Sequence, residues 1–270
     1  DIVQLTGAKP IIVTCDISQQ FKITPSQLEE SITDATKLVF LNSPSNPTGA
    51  VYSKDELRSL ADILLKHPHV YIGTDDIYEH INLGDNPFYN ILMVEPKLKD
   101  RVIVLNGVSK AYSMTGWRIG FAAGPKEIIS AMSKLQSQST SNPTSISQVA
   151  AEAALRGSRD CIIPMVKAFK ERHEYVLDAL NDINGVKCIP AEGAFYAFSD
   201  ANEAINQLYE SRKIDQKNDL AFADYLLESQ GVAVVPGSAF GLDGYFRISF
   251  ATSMDNLVEA IKRIKKAIEG

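Results

Sequence analysis

The sequence predicts an α/β protein in which a three-layer, mainly parallel sheet forms a large domain and a smaller α+β domain follows. Three observations support this prediction. Short apolar runs alternate with helical patterns over residues 1–124, the pattern becomes helical over 125–182, and short strands reappear after Gly185. We therefore place the large domain at residues 1–165 and the small C-terminal domain at residues 166–270.

The large domain is predicted from five apolar, β-rich runs at residues 9–14, 38–42, 70–74, 102–106 and 119–123. Between the second and third runs, Ser53 and Glu56 have the spacing of a capping box, which predicts the start of a helix with leucines on one face. Ligands of open α/β sheets bind at the carboxyl ends of the strands. The residues that follow these strands are therefore the first candidates for a functional site.

The second half of the chain is predicted to begin with three helices. The first starts at Pro125 and repeats Ile128, Met132 and Leu135 at helical spacing, and two more cover residues 147–156 and 160–181. The remaining elements are predicted as strands at 186–190, 194–198, 232–235 and 244–250, and as helices at 218–230 and 254–268. This order of short strands and helices is typical of a compact α+β unit.

Composition narrows the classes of function. The chain has 270 residues, a net charge of −6 and a pI near 5.3, so we expect neither a nucleic-acid partner nor an anionic membrane surface. No apolar run approaches the ~20 residues that a membrane helix needs. The three cysteines lack metal or disulfide spacing, which favours a reducing, cytoplasmic compartment. The four dispersed histidines also lack ligand spacing, so we expect no metal site.

The densest motif is Gly-Val-Ser-Lys-Ala-Tyr-Ser-Met-Thr-Gly-Trp-Arg-Ile-Gly at residues 107–120, directly after an apolar strand. Small and apolar neighbours predict a buried amine at Lys110, and burial favours the neutral form that a Schiff-base lysine requires. Arg118 lies between glycines that permit close approach of the backbone, and its planar fork suits a phosphate. Taken alone, a solvated lysine and a surface arginine on a turn explain the same residues.

Two further motifs follow predicted strands. Asn-Pro-Thr-Gly at residues 46–49 is a turn in composition, but it also offers the Asn46 amide to a ligand at the sheet edge. Asp75 ends a buried strand, and a poorly solvated carboxylate there needs a cation or several hydrogen bonds. Tyr78 can point to the same side if a helical turn follows. Two surface acids that cap a helix are the alternative for Asp75 and its neighbour.

Together, these motifs resemble the fold-type I enzymes that use pyridoxal 5′-phosphate (PLP), specifically the class I/II aminotransferases. Residues 107–120 fit the cofactor-lysine signature of that family, and residues 46–49, 75–78 and Phe-Arg-Ile-Ser at 246–249 follow in the family's order. Residues 6–10, 111–118 and 193–196 resemble the bacterial subgroup that contains aspartate and aspartate/prephenate aminotransferases. The resemblance extends over essentially the whole chain and implies a PLP-transferase large domain.

The resemblance implies a role for each cofactor-binding residue. Lys110 binds PLP as a Schiff base and moves a proton between the substrate Cα and the aldehyde carbon. Asp75 pairs with the pyridine nitrogen, and Asn46 and Tyr78 donate hydrogen bonds to the 3′-oxygen. Arg118 binds the phosphate.

The same resemblance implies the substrate site and the reaction. Arg247 and Asn46 bind the substrate, with the α-carboxylate at Arg247, and the flanking Phe246 and Ile248 indicate that the Arg247 side chain faces away from the core. The implied reaction is a ping-pong transamination from an L-amino acid, with aspartate as the expected donor, to a 2-oxo acid such as 2-oxoglutarate. A homodimer with active sites at the subunit interface is implied as well.

Other functions fit the same motifs. A C–S lyase or an aminocyclopropane-carboxylate-type synthase uses the same kinds of residue, and fold alone does not decide between reactions. A non-catalytic PLP-sensing domain is a third possibility. The family also has an N-terminal portion before the position that matches Asp1, which carries a phosphate loop and most residues that read the substrate side chain. A chain that begins at Asp1 is therefore expected to be weakly active or inactive alone.

Overall fold

The computed structural model describes residues 2–270, and two four-stranded sheets organise this part of the chain. The first sheet consists of β1 (Leu38–Asn42), β2 (Tyr71–Asp75), β3 (Val102–Gly107) and β4 (Gly120–Ala123). The second consists of β5 (Lys187–Cys188), β6 (Tyr196–Asp200), β7 (Val235–Pro236) and β8 (Tyr245–Ser249). The predicted order of a parallel-sheet half before an α+β half is thus observed, and the domain boundary after residue 165 stays a prediction.

Helices account for much of the remaining chain. Within residues 2–270 they are α1 (Ile2–Leu5), α2 (Pro25–Ser31), α3 (Lys54–Lys66), α4 (Ile91–Val94), α5 (Lys126–Ser139), α6 (Ser145–Arg156), α7 (Ile162–Asn181), α8 (Asn202–Glu210), α9 (Asp219–Gln230) and α10 (Met254–Glu269). The sequence patterns did not predict the short helices α1, α2, α4 and α8. None of the helices described over this range has both the length and the apolar character that crossing a membrane requires.

The first sheet brings three strand ends to one edge. Its order is β1-β2-β3-β4, in which β1, β2 and β3 run parallel and β4 pairs antiparallel with β3. Asn42 and Asp75 are register partners at the ends of β1 and β2, and Gly107 ends β3. The predicted mainly parallel sheet is therefore confirmed, with its candidate residues at the carboxyl edge.

The predicted helix after β1 forms as the sequence indicates. Ser53 accepts a hydrogen bond from the Glu56 backbone N–H, and the Glu56 carboxylate accepts one from the Ser53 N–H, which completes the capping box. Leu57, Leu60 and Leu64 on the inner face of α3 are buried. They pack with apolar residues of β2 and α4 in the core of the first half.

The second sheet has the order β5-β6-β8-β7, and its neighbouring strands are all antiparallel. Its core is formed by large apolar residues of α7, α9, α10 and β8, including Leu180, Phe222, Phe246 and Ile264. Tyr78, from the turn after β2, belongs to this same cluster. A residue of the first half is therefore fixed by the packing of the second half.

The predicted strand at residues 9–14 is wrong. These residues have no regular secondary structure, and both Ile11 and Ile12 are exposed. A strand needs a neighbour that satisfies its backbone N–H and C=O groups. Among residues 2–270, the sheets pair other segments and leave this run without such a neighbour.

Candidate active site

The end of β1 is tied directly to the end of β2. The Asn42 side-chain amide donates a hydrogen bond to the Asp75 carbonyl oxygen at 3.1 Å. The Asn42 side-chain oxygen accepts the Asn46 backbone N–H at 2.8 Å. One asparagine therefore fixes the loop that carries Asn46 relative to the strand end that carries Asp75.

The loop after β1 also contacts the second half of the molecule. The Gly49 carbonyl oxygen accepts hydrogen bonds from the backbone N–H groups of Glu192 and Gly193, both at 2.9 Å. Gly49 has φ of +69°, and a Cβ built on it would lie 2.4 Å from the Cβ of Ala191. Glycine is required here for both conformation and space. Asn46 itself is exposed beside this contact.

The Asp75 carboxyl lies at the end of β2 and is half-buried. Burial raises the pKa of Asp75, while the hydrogen bond from the Ile77 backbone N–H and the charge of Lys110 oppose this increase. A carboxyl in such an environment is stabilised in its charged form when a cation approaches it. The predicted partner of Asp75, a protonated ring nitrogen, is a cation of this kind.

Asp76 was not predicted to be a special residue, and the structure buries it. Its carboxylate accepts hydrogen bonds from the Thr74 hydroxyl and from the Asn90 amide, both at 2.6 Å. Burial raises the pKa of Asp76 to about 6. The Asp76 N–H also donates to the Leu105 carbonyl oxygen of β3 at 2.9 Å. The alternative of two surface acids is therefore wrong for this residue, which anchors the turn between Asp75 and Tyr78.

Lys110 lies in the turn after β3 and is half-buried against aromatic rings. Its Nζ lies 5.8 Å from the centroid of the Tyr78 ring and 5.9 Å from that of the Phe195 ring. The phenol of Tyr78 is buried, and its oxygen lies 2.8 Å from the phenol oxygen of Tyr196. Burial, together with the hydrogen bond to Tyr196, raises the pKa of Tyr78. Tyr78 is thus a neutral hydrogen-bonding group next to the amine.

Arg247 projects from β8 on the side opposite the core. Its neighbours Phe246 and Ile248 are buried, which agrees with the predicted alternation. The guanidinium donates from Nη1 to the Asn46 side-chain oxygen at 2.6 Å. Its carbon Cζ lies 4.5 Å from the Tyr196 ring centroid and 5.0 Å from that of Phe240.

The Arg247 guanidinium has an unused donor. Its Nε is buried and finds no hydrogen-bond partner among the described residues. A buried donor without a partner is costly, and it marks a place where a ligand acceptor restores the hydrogen bond. The planar guanidinium suits a carboxylate of this kind.

Arg118 is placed differently from the other candidates. It is exposed, and its Nη1 donates to the Thr115 carbonyl oxygen at 3.0 Å within its own turn. Both Arg118 and Ser113, in the loop after Lys110, have positive φ values of 56° and 53°. Non-glycine residues with positive φ are uncommon and often belong to functional loops. The structure thus gives Arg118 an unusual backbone but no contact with the aromatic residues around Lys110.

Three aromatic residues near these candidates were not assigned a role from sequence. Phe195 lies directly before β6, Tyr196 is the first residue of β6, and Phe240 lies between β7 and β8. Two of them lay inside the Gly-Ala-Phe-Tyr motif at residues 193–196, which carried part of the family resemblance. A signal for them was therefore present, but contact with Lys110 and Arg247 depends on the meeting of the two sheets.

Comparison with known proteins identifies the family. The sequence model of aminotransferase class I and II matches residues 1–264 of the chain. The chain belongs to the class I and II aminotransferases. The suspected family and fold class are thereby confirmed, and the PLP dependence of this family agrees with the cofactor predicted from the motifs.

Individual aminotransferases are similar over nearly the whole chain. An aspartate/prephenate aminotransferase of Nitrosomonas europaea is 55% identical over 264 residues, which cover 98% of this chain and 66% of the relative. An aspartate aminotransferase of Rhizobium meliloti is 51% identical over 267 residues, which cover 99% and 65%. The chain spans about two thirds of the length of these curated relatives.

Solved aminotransferase structures share the fold. The crystal structure of the aspartate aminotransferase from Rhizobium meliloti superposes with a TM-score of 0.93 at 47% identity, covering 99% of this chain and 67% of that one. An aromatic aminotransferase from Pyrococcus horikoshii superposes with a TM-score of 0.90 at 35% identity, covering 99% and 69%. The α/β architecture described above is therefore that of PLP aminotransferases.

Proposed function

We propose that this protein is a PLP-dependent aminotransferase that transfers the amino group of an L-amino acid to a 2-oxo acid by a ping-pong reaction. Aspartate is the proposed donor and 2-oxoglutarate the proposed acceptor. The observation that carries this proposal is the convergence of Lys110, Tyr78 and Arg247, from distant parts of the chain, around Tyr196. Two of the similar proteins are an aspartate/prephenate aminotransferase and an aspartate aminotransferase, which supports the choice of donor.

The residues fit PLP by their chemistry. When bound, PLP supplies an aldehyde that bonds to amines and a pyridinium ring that accepts the electron pair released at the substrate Cα. Asp75 would hold the proton on the ring nitrogen, and burial, which raises the pKa of this carboxyl, is consistent with a need for such a cation. Tyr78 and Asn46 would donate hydrogen bonds to the ring oxygen, and Arg118 would hold the phosphate.

Lys110 supplies both the attachment point and the proton carrier. Its Nζ would hold PLP by condensing with the aldehyde, with loss of water, and the same amine would become free when a substrate amine replaces it. The free amine would be the group that carries the proton between the substrate Cα and the aldehyde carbon. The rings of Tyr78 and Phe195 beside Nζ exclude water from one side of this path.

Arg247 and Asn46 bind the α-carboxylate of the substrate. Nη1 is held by the Asn46 side-chain oxygen, while the buried Nε lacks an acceptor. A carboxylate placed at this edge of the guanidinium completes its hydrogen bonds and orients the substrate amine toward Lys110. This geometry favours amino acids, whose carboxylate and amine share one carbon.

We also propose that the protein acts as a cytoplasmic homodimer with active sites at the subunit interface. The exposure of Asn46 and Arg118 is consistent with a partner subunit that covers part of the site. Sedimentation of the full-length protein tests the dimer.

A single half-reaction tests the proposed reaction. Full-length protein loaded with PLP is mixed with aspartate, glutamate, phenylalanine or alanine, without any 2-oxo acid. We expect aspartate to convert the cofactor most rapidly to pyridoxamine phosphate, with release of one equivalent of oxaloacetate. Release of ammonia with regeneration of PLP would instead establish a lyase, and an unchanged cofactor with all four donors would contradict the proposed transamination.

A further inference from the structure

We propose that Tyr196 is a positioning residue that couples the two halves of the site: its hydroxyl orients the Tyr78 hydroxyl, and its ring supports the Arg247 guanidinium. This inference rests on the proposed function, since it concerns the cofactor oxygen at Tyr78 and the substrate carboxylate at Arg247. No motif in the sequence assigned Tyr196 such a role.

The contact between the Tyr78 and Tyr196 hydroxyls determines which of them donates, once Tyr78 donates to the cofactor. The phenol oxygens of Tyr78 and Tyr196 lie 2.8 Å apart, and both residues are buried, at 3% and 6% exposure. Each phenol has one proton to donate. If Tyr78 donates its proton to the cofactor oxygen, the bond between the two phenols must use the proton of Tyr196. Tyr196 therefore keeps the Tyr78 proton free for the cofactor.

The ring contact fixes the guanidinium. The Arg247 carbon Cζ lies 4.5 Å from the centroid of the Tyr196 ring and 5.0 Å from that of the Phe240 ring. An arginine is attracted to the faces of aromatic rings, and two rings restrict the plane in which its fork can lie. The hydrogen bond from Nη1 to Asn46 fixes the rotation within that plane. The unpartnered Nε is thereby held in one direction.

The backbone around Tyr196 is rigid enough for this role. Tyr196 begins β6, which lies next to the strand of Arg247 in the second sheet. The Ala194 N–H donates to the Ile81 carbonyl oxygen at 2.9 Å, and the Ile81 N–H donates to the Tyr78 carbonyl oxygen at 2.8 Å. The segments that carry the two tyrosines are therefore joined through the main chain as well as through their hydroxyls.

Two substitutions separate the hydroxyl contact with Tyr78 from the aromatic contacts of Arg247. Tyr196→Phe removes the Tyr196 hydroxyl and keeps its ring. Phe240→Leu leaves Tyr196 intact and removes the second ring near Arg247. Tyr196→Met removes both the hydroxyl and the aromatic ring of Tyr196 and leaves a side chain of similar volume. If the Tyr196→Met variant does not fold, Tyr196→Leu is used in its place. Circular dichroism and thermal unfolding show which variants retain the wild-type fold.

The first readout is the pH titration of cofactor absorbance in the full-length holoenzyme. A weaker donor to the cofactor oxygen leaves that anion less stabilised, so the neighbouring imine nitrogen keeps its proton to higher pH. The loss of one hydrogen bond typically corresponds to a shift of roughly 0.4 to 1 pH unit in the titration of the group that it stabilises. We therefore expect Tyr196→Phe to raise the titration midpoint by that amount. Phe240→Leu is expected to leave the midpoint unchanged.

The second readout is the affinity for succinate, a dicarboxylate probe, measured by calorimetry. We expect Phe240→Leu and Tyr196→Met each to weaken succinate binding about threefold or more, because Arg247 loses one aromatic face. Tyr196→Phe is expected to bind succinate as the wild type does. Tyr196→Met is expected to change both readouts.

The outcomes distinguish this inference from the proposed function. Wild-type protein that forms no covalent bond between Lys110 and PLP contradicts the proposed function itself. If the wild type forms the bond, a wild-type titration midpoint in Tyr196→Phe overturns the role of the hydroxyl. Wild-type succinate affinity in a folded Tyr196→Met or Tyr196→Leu variant overturns the role of the ring.

Discussion

Single residues of the candidate site have interactions that only a ligand completes. The Asp75 carboxyl has a raised pKa because it is half-buried, and the Arg247 Nε is buried without an acceptor. Each feature is unfavourable without a ligand. A cation stabilises the Asp75 carboxylate, and a hydrogen-bond acceptor satisfies the Arg247 Nε donor. A protonated ring nitrogen relieves the first and a substrate carboxylate the second.

The planar shape of the Arg247 guanidinium is expected to matter more for substrate binding than its positive charge. Arg247→Lys keeps the positive charge but cannot bond Asn46 and a carboxylate in one plane. A hydrogen bond to a charged group contributes about 1.5–3 kcal/mol, so we expect KM for aspartate to rise roughly tenfold to a hundredfold. Steady-state kinetics measure the effect. Arg263→Lys, on the exposed side of α10, is the matched control, and equal KM values in the two variants would contradict the account.

His173 is expected to make folding stability depend on pH. It is buried in α7, and its Nε2 accepts the Ala191 backbone N–H at 2.9 Å, which requires the neutral ring. Burial lowers the pKa of His173, although Glu174 opposes the shift. The unfolded chain therefore binds the proton first as pH falls below about 6.5. The stabilising contribution is complete above that pH and is lost as pH falls through the folded pKa.

Replacement of His173 tests the direction of this pH dependence of folding stability. His173→Gln keeps an acceptor for Ala191 without a titrating ring, so we expect its unfolding free energy to decline less steeply below about pH 6.5. Urea unfolding at several pH values measures the slope. His69→Gln, at an exposed position, is the control and should retain the wild-type slope. A wild-type slope in His173→Gln as well means that another group is responsible.

At the scale of elements, α3 connects the loop of Asn46 to the core. Its N-terminus is satisfied by the reciprocal hydrogen bonds of Ser53 and Glu56, and the Glu56 carboxylate also pairs with Lys22 at 2.8 Å. Its leucine face is buried under the first sheet. Stability at this helix start therefore limits movement of the adjoining loop.

The capping contribution of Ser53 is open to measurement. Ser53→Ala removes the acceptor for the Glu56 backbone N–H, and we expect the free energy of unfolding to fall by about 1 kcal/mol. Ser59→Ala, in the same helix at an exposed position, is expected to change it by less than about 0.5 kcal/mol. Chemical denaturation compares the two variants, and equal effects would show that the cap contributes nothing.

Elements with strong local signals could be predicted from the sequence. The capping box at Ser53 and the helical repeat of α5 depend on neighbours in the chain, and both helices form. The run at residues 9–14 was wrong because a strand is defined by its hydrogen-bonding neighbour, which local sequence does not reveal. The short α2 was missed although Thr24 and Gln27 form a capping box before it, since its seven residues carry little periodicity.

The residues of the candidate site also divide into those that local sequence predicts and those that depend on distant contacts. Lys110, Asp75 and Asn46 follow strands, so their common edge could be predicted from the parallel order. The burial of Asp76 and the contacts of Arg247 with two aromatic rings could not be predicted, because they depend on residues distant in sequence. The assignment of Arg118 to a phosphate remains a prediction.

At the scale of the whole molecule, the two core clusters do not cover all apolar surface of the described residues. Leu38 and Phe40 on one face of β1 are about half exposed, and none of the residues of α5 is buried. Large apolar patches on soluble monomers commonly mark an interface. The exposed apolar residues of α5 and those of β1 therefore each have the character of a packing face.

The exposed apolar residues of α5 lead to an expectation for a polypeptide of residues 1–270. We expect it to bind an apolar dye and to associate during gel filtration, because an uncovered apolar surface favours association. Leu135→Gln in α5, where Leu135 is exposed, is expected to reduce dye binding. A monomeric polypeptide whose dye binding is unchanged by Leu135→Gln would contradict this expectation.

The covalent bond at Lys110 is the central claim, and one measurement tests it most directly. Full-length protein is incubated with PLP, reduced with borohydride, digested, and mapped by mass spectrometry. We expect the reduced cofactor on the peptide that contains Lys110, and we expect no adduct in Lys110→Ala. A cofactor adduct on a different lysine, or an unmodified Lys110 peptide in protein that binds PLP, would contradict the account.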